Sequence, residues 1–152
     1  MKRIIAMLLA LTFAASSLSA HEHHAPHEGA LVVLGEEFAH VEFVLDPGAG
    51  SLTAYILDGE AEYSIRIGQE SIEVVIKDTV PPTDGAGVSG DALILKAVSD
   101  VLTGETAGDT SEFAARSERL KGVRKFTAVI SVISVKGQTF KNIEFRYPEG
   151  NE

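Results

Sequence analysis

Four of the five histidines in this 152-residue chain, His21, His23, His24 and His27, fall within seven residues. Neutral imidazole is a common ligand for divalent copper, zinc and nickel, so the tract points first to metal binding. If a leader is removed after Ala20, the new terminus reads His21-Glu22-His23 with a free amine. That amine, the two following amide nitrogens and the His23 imidazole can form a square-planar set suited to divalent copper or nickel. Cutting elsewhere keeps the motif only if a histidine again stands third. The plainer reading is a soluble polar lead-in to the first strand.

The fifth histidine, His40, lies in an alternating stretch. Ala39, Val41, Phe43 and Leu45 form its apolar side, which puts His40 and Glu42 together on the other face. A two-residue turn at Gly35-Glu36 would pair Leu31 with His40 and Gly29 with Glu42. His27 then lies diagonal to Glu42, and Gly29, lacking a side chain, leaves room for a shared ion. His27, His40 and Glu42 thus make a candidate two-His, one-carboxylate site. A three-residue loop would turn His27 away and dissolve it. The competing reading is an exposed His-Glu pair that only stabilises one sheet face.

Catalytic constellations are missing. The chain has no cysteine, and both methionines, Met1 and Met7, precede Ala20, so any metal must be held by imidazole, carboxylate or backbone. Gly87-Val88-Ser89-Gly90 lacks the spacing of a nucleophile elbow. His23, His24 and His27 do not form H-E-x-x-H, and no glycine-rich loop carries the lysine of a phosphate cradle. A hydrolase using a carboxylate or a metal-bound water is the weakest of the functional readings, and a non-enzymatic protein is expected.

The elements that must position these residues begin after a leader. Lys2 and Arg3, the apolar run Ile4 to Ala15 and the small residues ending at Ala20 have the three parts of a secretory signal peptide, assigned to 1–20. Its loss takes the formal net charge from −9 to −11, a poor match for nucleic acid or anionic membrane surfaces. The expected location is periplasmic or secreted, with no lipid-modified cysteine and no membrane span after cleavage. A flexible His-rich arm is assigned to 21–28, a single β domain to 29–148 and a frayed tail to 149–152.

Within 29–148 the apolar residues come in short runs broken by turn signals, which predicts strands and no long helix. Strands are expected near Ala30–Leu34, Phe38–Leu45, Leu52–Leu57, Tyr63–Ile67, Ile72–Lys77, Ala92–Val98, Glu112–Ala115, Lys125–Val135 and Phe140–Tyr147. Turn chemistry marks Asp46-Pro47-Gly48-Ala49-Gly50, Asp58-Gly59, Lys136-Gly137 and the loop from Val80 through Gly90. A two-residue turn at Lys136-Gly137 pairs Ile130 with Ile143, Ala128 with Phe145 and Phe126 with Tyr147, leaving Asn142, Glu144 and Arg146 on a solvated face. Ser117 to Gly122 suits one helical turn, while Gly85 to Gly90 and Gly104 to Thr110 read as mobile loops. The fold class predicted is all-β, an antiparallel, Ig-like β-sandwich of seven to nine short strands.

Pro26-His27-Glu28-Gly29-Ala30-Leu31-Val32-Val33-Leu34-Gly35, with Phe38-Ala39-His40-Val41-Glu42 and Thr53-Ala54-Tyr55-Ile56-Leu57-Asp58-Gly59, resembles a group of small exported bacterial β-domain proteins of uncharacterised function. A slighter likeness, confined to His27-x-Gly29 and the strand ending in Glu42, is to segments of periplasmic adaptor subunits of heavy-metal efflux systems. That likeness implies metal handling outside the cytoplasm and carries over His27 alone. The chain is too short for the adaptors' helical hairpin and lipoyl-like domain, so a free-standing domain is expected.

Together these readings predict an exported metal-binding or metal-handling domain for divalent copper, zinc or nickel. Its ligands would come from His21, His23, His24, His27, His40 and Glu42, and its partners would be the ion and envelope or efflux proteins. The alternative is an Ig-like interaction module of the cell envelope without a metal role, which should show an exposed apolar patch or an unpaired strand edge.

Overall fold

The computed structural model describes residues 24–80 and 91–151. The leader, His21, His23 and the Gly85 to Gly90 segment therefore lie outside the described residues. Alternation of apolar and polar side chains generates eight strands among those described: β1 (Ala30–Leu34), β2 (Ala39–Asp46), β3 (Ser51–Leu57), β4 (Ser71–Val80), β5 (Asp91–Ala97), β6 (Glu112–Arg116), β7 (Lys125–Val135) and β8 (Gln138–Tyr147). Among the described residues the only helical element is a 3-10 turn at Glu118–Leu120, with Ser117 Oγ accepting from the Arg119 amide as an N-cap, where the sequence places a helical turn. Among the described residues no helix is long and apolar enough to cross a membrane.

The strands form one antiparallel sheet in the order β1-β2-β3-β6-β5-β4-β7-β8. Strands β4 to β7 make a Greek key, because β7 returns to lie beside β4. The all-β class is as expected, but the Ig-like sandwich is not found. A sandwich needs two sheets face to face, whereas here the sheet curls until β1 approaches β8, giving a nearly closed, barrel-like body. Its interior is filled by one row from each wall, including Val41, Phe43, Ile56, Phe113, Ile130 and Phe145. Phe43 and Phe145 stack there with ring centroids 4.4 Å apart.

Two irregularities help the sheet curl. The β4–β7 register shifts between Ile76 and Asp78. In the β7–β8 hairpin the inward parity changes on both strands: β7 buries Phe126, Ala128 and Ile130, then Ile133 and Val135, while β8 buries Phe140 and then Phe145. Asn142, at φ 54°, takes up the change on β8. The hairpin itself has the expected register and a two-residue turn with Lys136 at φ 48° and Gly137 at φ 81°.

Three other expectations change. Tyr63 to Ile67 is not a strand. The Asp58 carboxylate accepts the Glu62 and Tyr63 amides at 2.9 and 3.2 Å, and the segment joins the sheet only through isolated bridges at Ser64 and Ile67. The β1–β2 connection uses four residues, Gly35 to Phe38, because Phe38 turns in to meet Phe140 at 5.9 Å between centroids. Gly104 to Thr110 is a hydrogen-bonded turn, with Thr106 and Asp109 exchanging backbone bonds of 3.1 and 2.9 Å.

The tail expected to fray instead covers the β1 edge. Arg146 and Gly150 exchange backbone hydrogen bonds of 2.8 and 2.6 Å, which turns the chain back after β8. Asn151 Oδ1 then accepts from the Val33 amide at 2.8 Å while its Nδ2 donates to the Val33 carbonyl at 3.1 Å, so one side chain satisfies both groups of an edge residue. Gly150 permits this approach, since a Cβ there would overlap the Leu31 carbonyl oxygen.

Gly150→Ala and Gly137→Ala separate the two demands on glycine. Both sit at positive φ, but Gly137 has open space where Gly150 has backbone. Urea unfolding should show Gly137→Ala losing about 1 kcal/mol from φ alone. Gly150→Ala should lose at least about 2 kcal/mol, because the clash adds to it.

Candidate functional site

The second strand is buried on both faces, which alternation alone does not reveal. Ala39, Val41, Phe43 and Leu45 face the interior as expected, but His40 and Glu42 are also fully buried. Glu42 heads an outer-face row that crosses four strands, with Leu31 of β1, Tyr55 of β3 and Glu112 of β6 in register. The segment before β1 lies over this row. A turn closed by the Glu28 amide on the Ala25 carbonyl, with Glu28 at φ 59°, brings His27 back across β2.

Three N–H groups converge on the Glu42 carboxylate. Oε1 accepts from the His27 amide at 2.7 Å and the Gly29 amide at 2.9 Å, and Oε2 meets His27 Nδ1 at 2.7 Å. Burying a carboxylate is costly unless its oxygens are satisfied, and here both are. Gly29 makes the approach possible: a Cβ there would strike the Phe43 carbonyl. The room expected beside Gly29 for an ion is therefore filled by β2 backbone. The His27 ring lies flat on Tyr55, with centroids 3.8 Å apart and planes 10° from parallel.

This arrangement assigns the tautomer. A carboxylate only accepts, so Nδ1 carries the proton and a neutral His27 has its lone pair on Nε2. The His27 side chain is 41% exposed while that of Glu42 is 0% exposed. His27 thus presents a fixed ring at the surface, oriented by a buried acid beneath it.

His27 and Glu42 meet as the shared-face reading requires, although the register differs. The four-residue connection places Leu31 opposite Glu42 and Val33 opposite His40, a two-residue offset that preserves the faces. The three-residue alternative does not occur. His40 does not join the pair: its Nδ1 lies 3.0 Å from the Asp58 carbonyl oxygen, beneath the Asp58 turn. Among the described residues no group of three or more His, Asp or Glu is placed to hold a metal ion, so the two-His, one-carboxylate site is not assembled. Both Glu42 oxygens are taken up by His27 and Gly29, and His24 is exposed.

Tyr55 and Glu112 were not singled out by the sequence. Their signal was available in the β3 alternation, which sends Thr53 and Tyr55 outward beside Glu42. Burial pushes the Glu112 carboxyl above its ordinary value, Glu105 and Asp100 push the same way, and His27 opposes them. Burial, then Glu112 and Glu42, likewise raise the Tyr55 hydroxyl. At both groups burial leads and the neighbouring carboxylates add to it.

Glu105 behaves oppositely. Hydrogen bonds from the Ser111 and Thr103 hydroxyls, with the Ser111 amide and Arg66 adding to them, hold it down to about 2. Compared with known proteins, the chain matches no family model, no curated protein and no solved structure.

Two predictions follow from these carboxylates. Glu42→Ala strands the His27 and Gly29 amides and should cost about 3 kcal/mol. Hydrogen exchange should show both amides losing protection while the β7–β8 amides keep theirs. Glu105→Ala should cost about 2 kcal/mol at pH 7. Because the folded value lies below the ordinary 4.5, that stabilisation is complete above pH 4.5 and is lost as pH falls towards 2. The gap in urea midpoint between wild type and variant should narrow over that window.

Proposed function

We propose that this chain is an exported, non-enzymatic protein that binds a divalent transition metal, copper, zinc or nickel, with His27 as its anchored ligand. The observation that carries the reading is the His27–Glu42 pair at 2.7 Å. Histidines that ligate metals characteristically donate their other ring N–H to a carboxylate or carbonyl, which sets the tautomer and raises the basicity of the ligating nitrogen. Glu42 supplies that partner, and Tyr55 holds the ring plane.

His21, His23 and His24 precede His27 closely enough in sequence to complete a coordination set. The terminal amine and His23 would offer copper or nickel a second mode if the leader is cut after Ala20. The acidic ground near His27, Glu112 above all, suits a cation. The likeness of His27-x-Gly29 to segments of efflux adaptors agrees with metal handling in the envelope. In this reading Glu42 orients the ligand and does not bind the ion, and His40 belongs to the packing beneath the Asp58 turn.

Tag-free protein, with its mature N-terminus fixed by mass spectrometry, tests the proposal through zinc and copper titrations. Zinc favours tetrahedral sites and reports on His27, whereas a square-planar copper chelate reports on His23. His27→Ala should abolish tight zinc binding, and Glu42→Gln should weaken it about tenfold or more. His23→Ala should lower copper affinity more than zinc affinity. Zinc should be released by about pH 4.5, because protonated imidazole cannot ligate. Zinc bound equally well by wild type and His27→Ala would end the proposal.

A further inference from the structure

The β5–β6 connection carries two apolar side chains wholly in water. Val101 is 96% and Leu102 95% exposed, against 42% to 56% for Val80, Ile94 and Val132. Hairpin tips are ordinarily polar, and these residues contribute nothing to the core.

The tip is nonetheless tightly framed. Asp100 and Glu105 exchange backbone bonds of 3.1 and 3.0 Å, and the Leu102 amide donates to Asp100 Oδ1 at 2.7 Å. Arg66 Nη2 donates to the Thr103 carbonyl at 2.6 Å, and Thr103 Oγ1 donates to Glu105 Oε2 at 2.6 Å. Glu105 Oε1 in turn accepts the Ser111 amide and hydroxyl at 2.8 and 2.6 Å. Two branched apolar residues are thus presented on a pre-organised knob, which lowers the ordering cost of docking.

Charge defines what the knob fits. The connection that carries it holds three carboxylates, Asp100, Glu105 and Asp109, against one cation, Arg66, which pairs with Asp109 at 3.2 Å and Glu105 at 3.9 Å and donates to the Thr103 carbonyl, so the charge beside the tip is net negative. Hydrogen bonding keeps Glu105 ionised well below neutral pH. An acidic collar repels anionic lipid and attracts a basic rim. We infer that the Val101–Leu102 tip is a docking element for a protein partner whose surface carries an apolar pocket edged by Lys or Arg. The inference does not depend on metal binding.

The full chain, expressed and exported in its native cell, tests this with a photo-reactive diazirine leucine at position 102 and, as control, at position 138, the exposed first residue of β8. The expected result is one discrete protein adduct from position 102 and none from 138. The captured protein, once purified, should bind wild type and lose at least about tenfold in affinity to Leu102→Asp and to Val101→Ser. Raising the salt concentration should weaken the binding several-fold. Both variants should keep the wild-type thermal midpoint, since neither side chain is packed. Leu102→Ala provides a milder truncation with the same predicted direction if the aspartate lowers that midpoint. The inference is overturned by no adduct, by a phospholipid adduct, by a dimer of this chain, by variants that bind as well as wild type, or by binding indifferent to salt.

Discussion

The arrangement at the open face of β2 depends on one buried carboxylate. Glu42 has no contact with solvent, and its two oxygens are occupied by the His27 amide, the Gly29 amide and the His27 ring. An acid there without those donors would be strongly unfavourable, so the segment before β1 must return over β2 in this conformation. Glu28 at positive φ and the absence of a side chain at Gly29 are the local conditions that allow it. The same contacts that satisfy Glu42 fix the ring of His27 against Tyr55.

Barrel closure uses a comparable device at the other edge of β1. Neither the β1 nor the β8 edge is left as a bare row of amides and carbonyls, because the chain after β8 turns back and lays Gly150 and Asn151 along β1. Strand β1 is thus held by β2 on one side and by the C-terminal segment on the other. With Ala30, Val32 and Leu34 buried inside, its position also sets where the arm leaves the barrel.

How much of this was legible varies with the physical rule involved. Period-two alternation placed most strands, and the Lys136-Gly137 turn set the β7–β8 register, because a wrong register there would expose Phe145 and Ile130. Alternation also put His40 and Glu42 on one face with His27 near by. It could not say what covers that face, so residues read as exposed are buried, Glu42 by its own arm and His40 near the Asp58 turn. The connection after Leu34 is two residues longer than a Gly35-Glu36 turn, because Phe38 leaves the strand to contact Phe140. Tyr63 to Ile67 failed for a related reason: alternation was present, but the Asp58 carboxylate organises the backbone locally. Sandwich and barrel share the same strand pattern, and what separates them here is the pairing of β3 with β6, which makes one sheet, and the approach of β1 to β8.

In the proposed function His27 presents a prepared Nε2 to a metal while Glu42 holds Nδ1. Nitrogen-15 NMR of the His27 ring, recorded on tag-free protein before and after zinc is added, addresses it most directly. Nδ1 should be protonated in both states, and zinc should move the Nε2 resonance to that of a metal-bound imidazole nitrogen. A His27 ring whose two resonances stay unchanged at saturating zinc would contradict it.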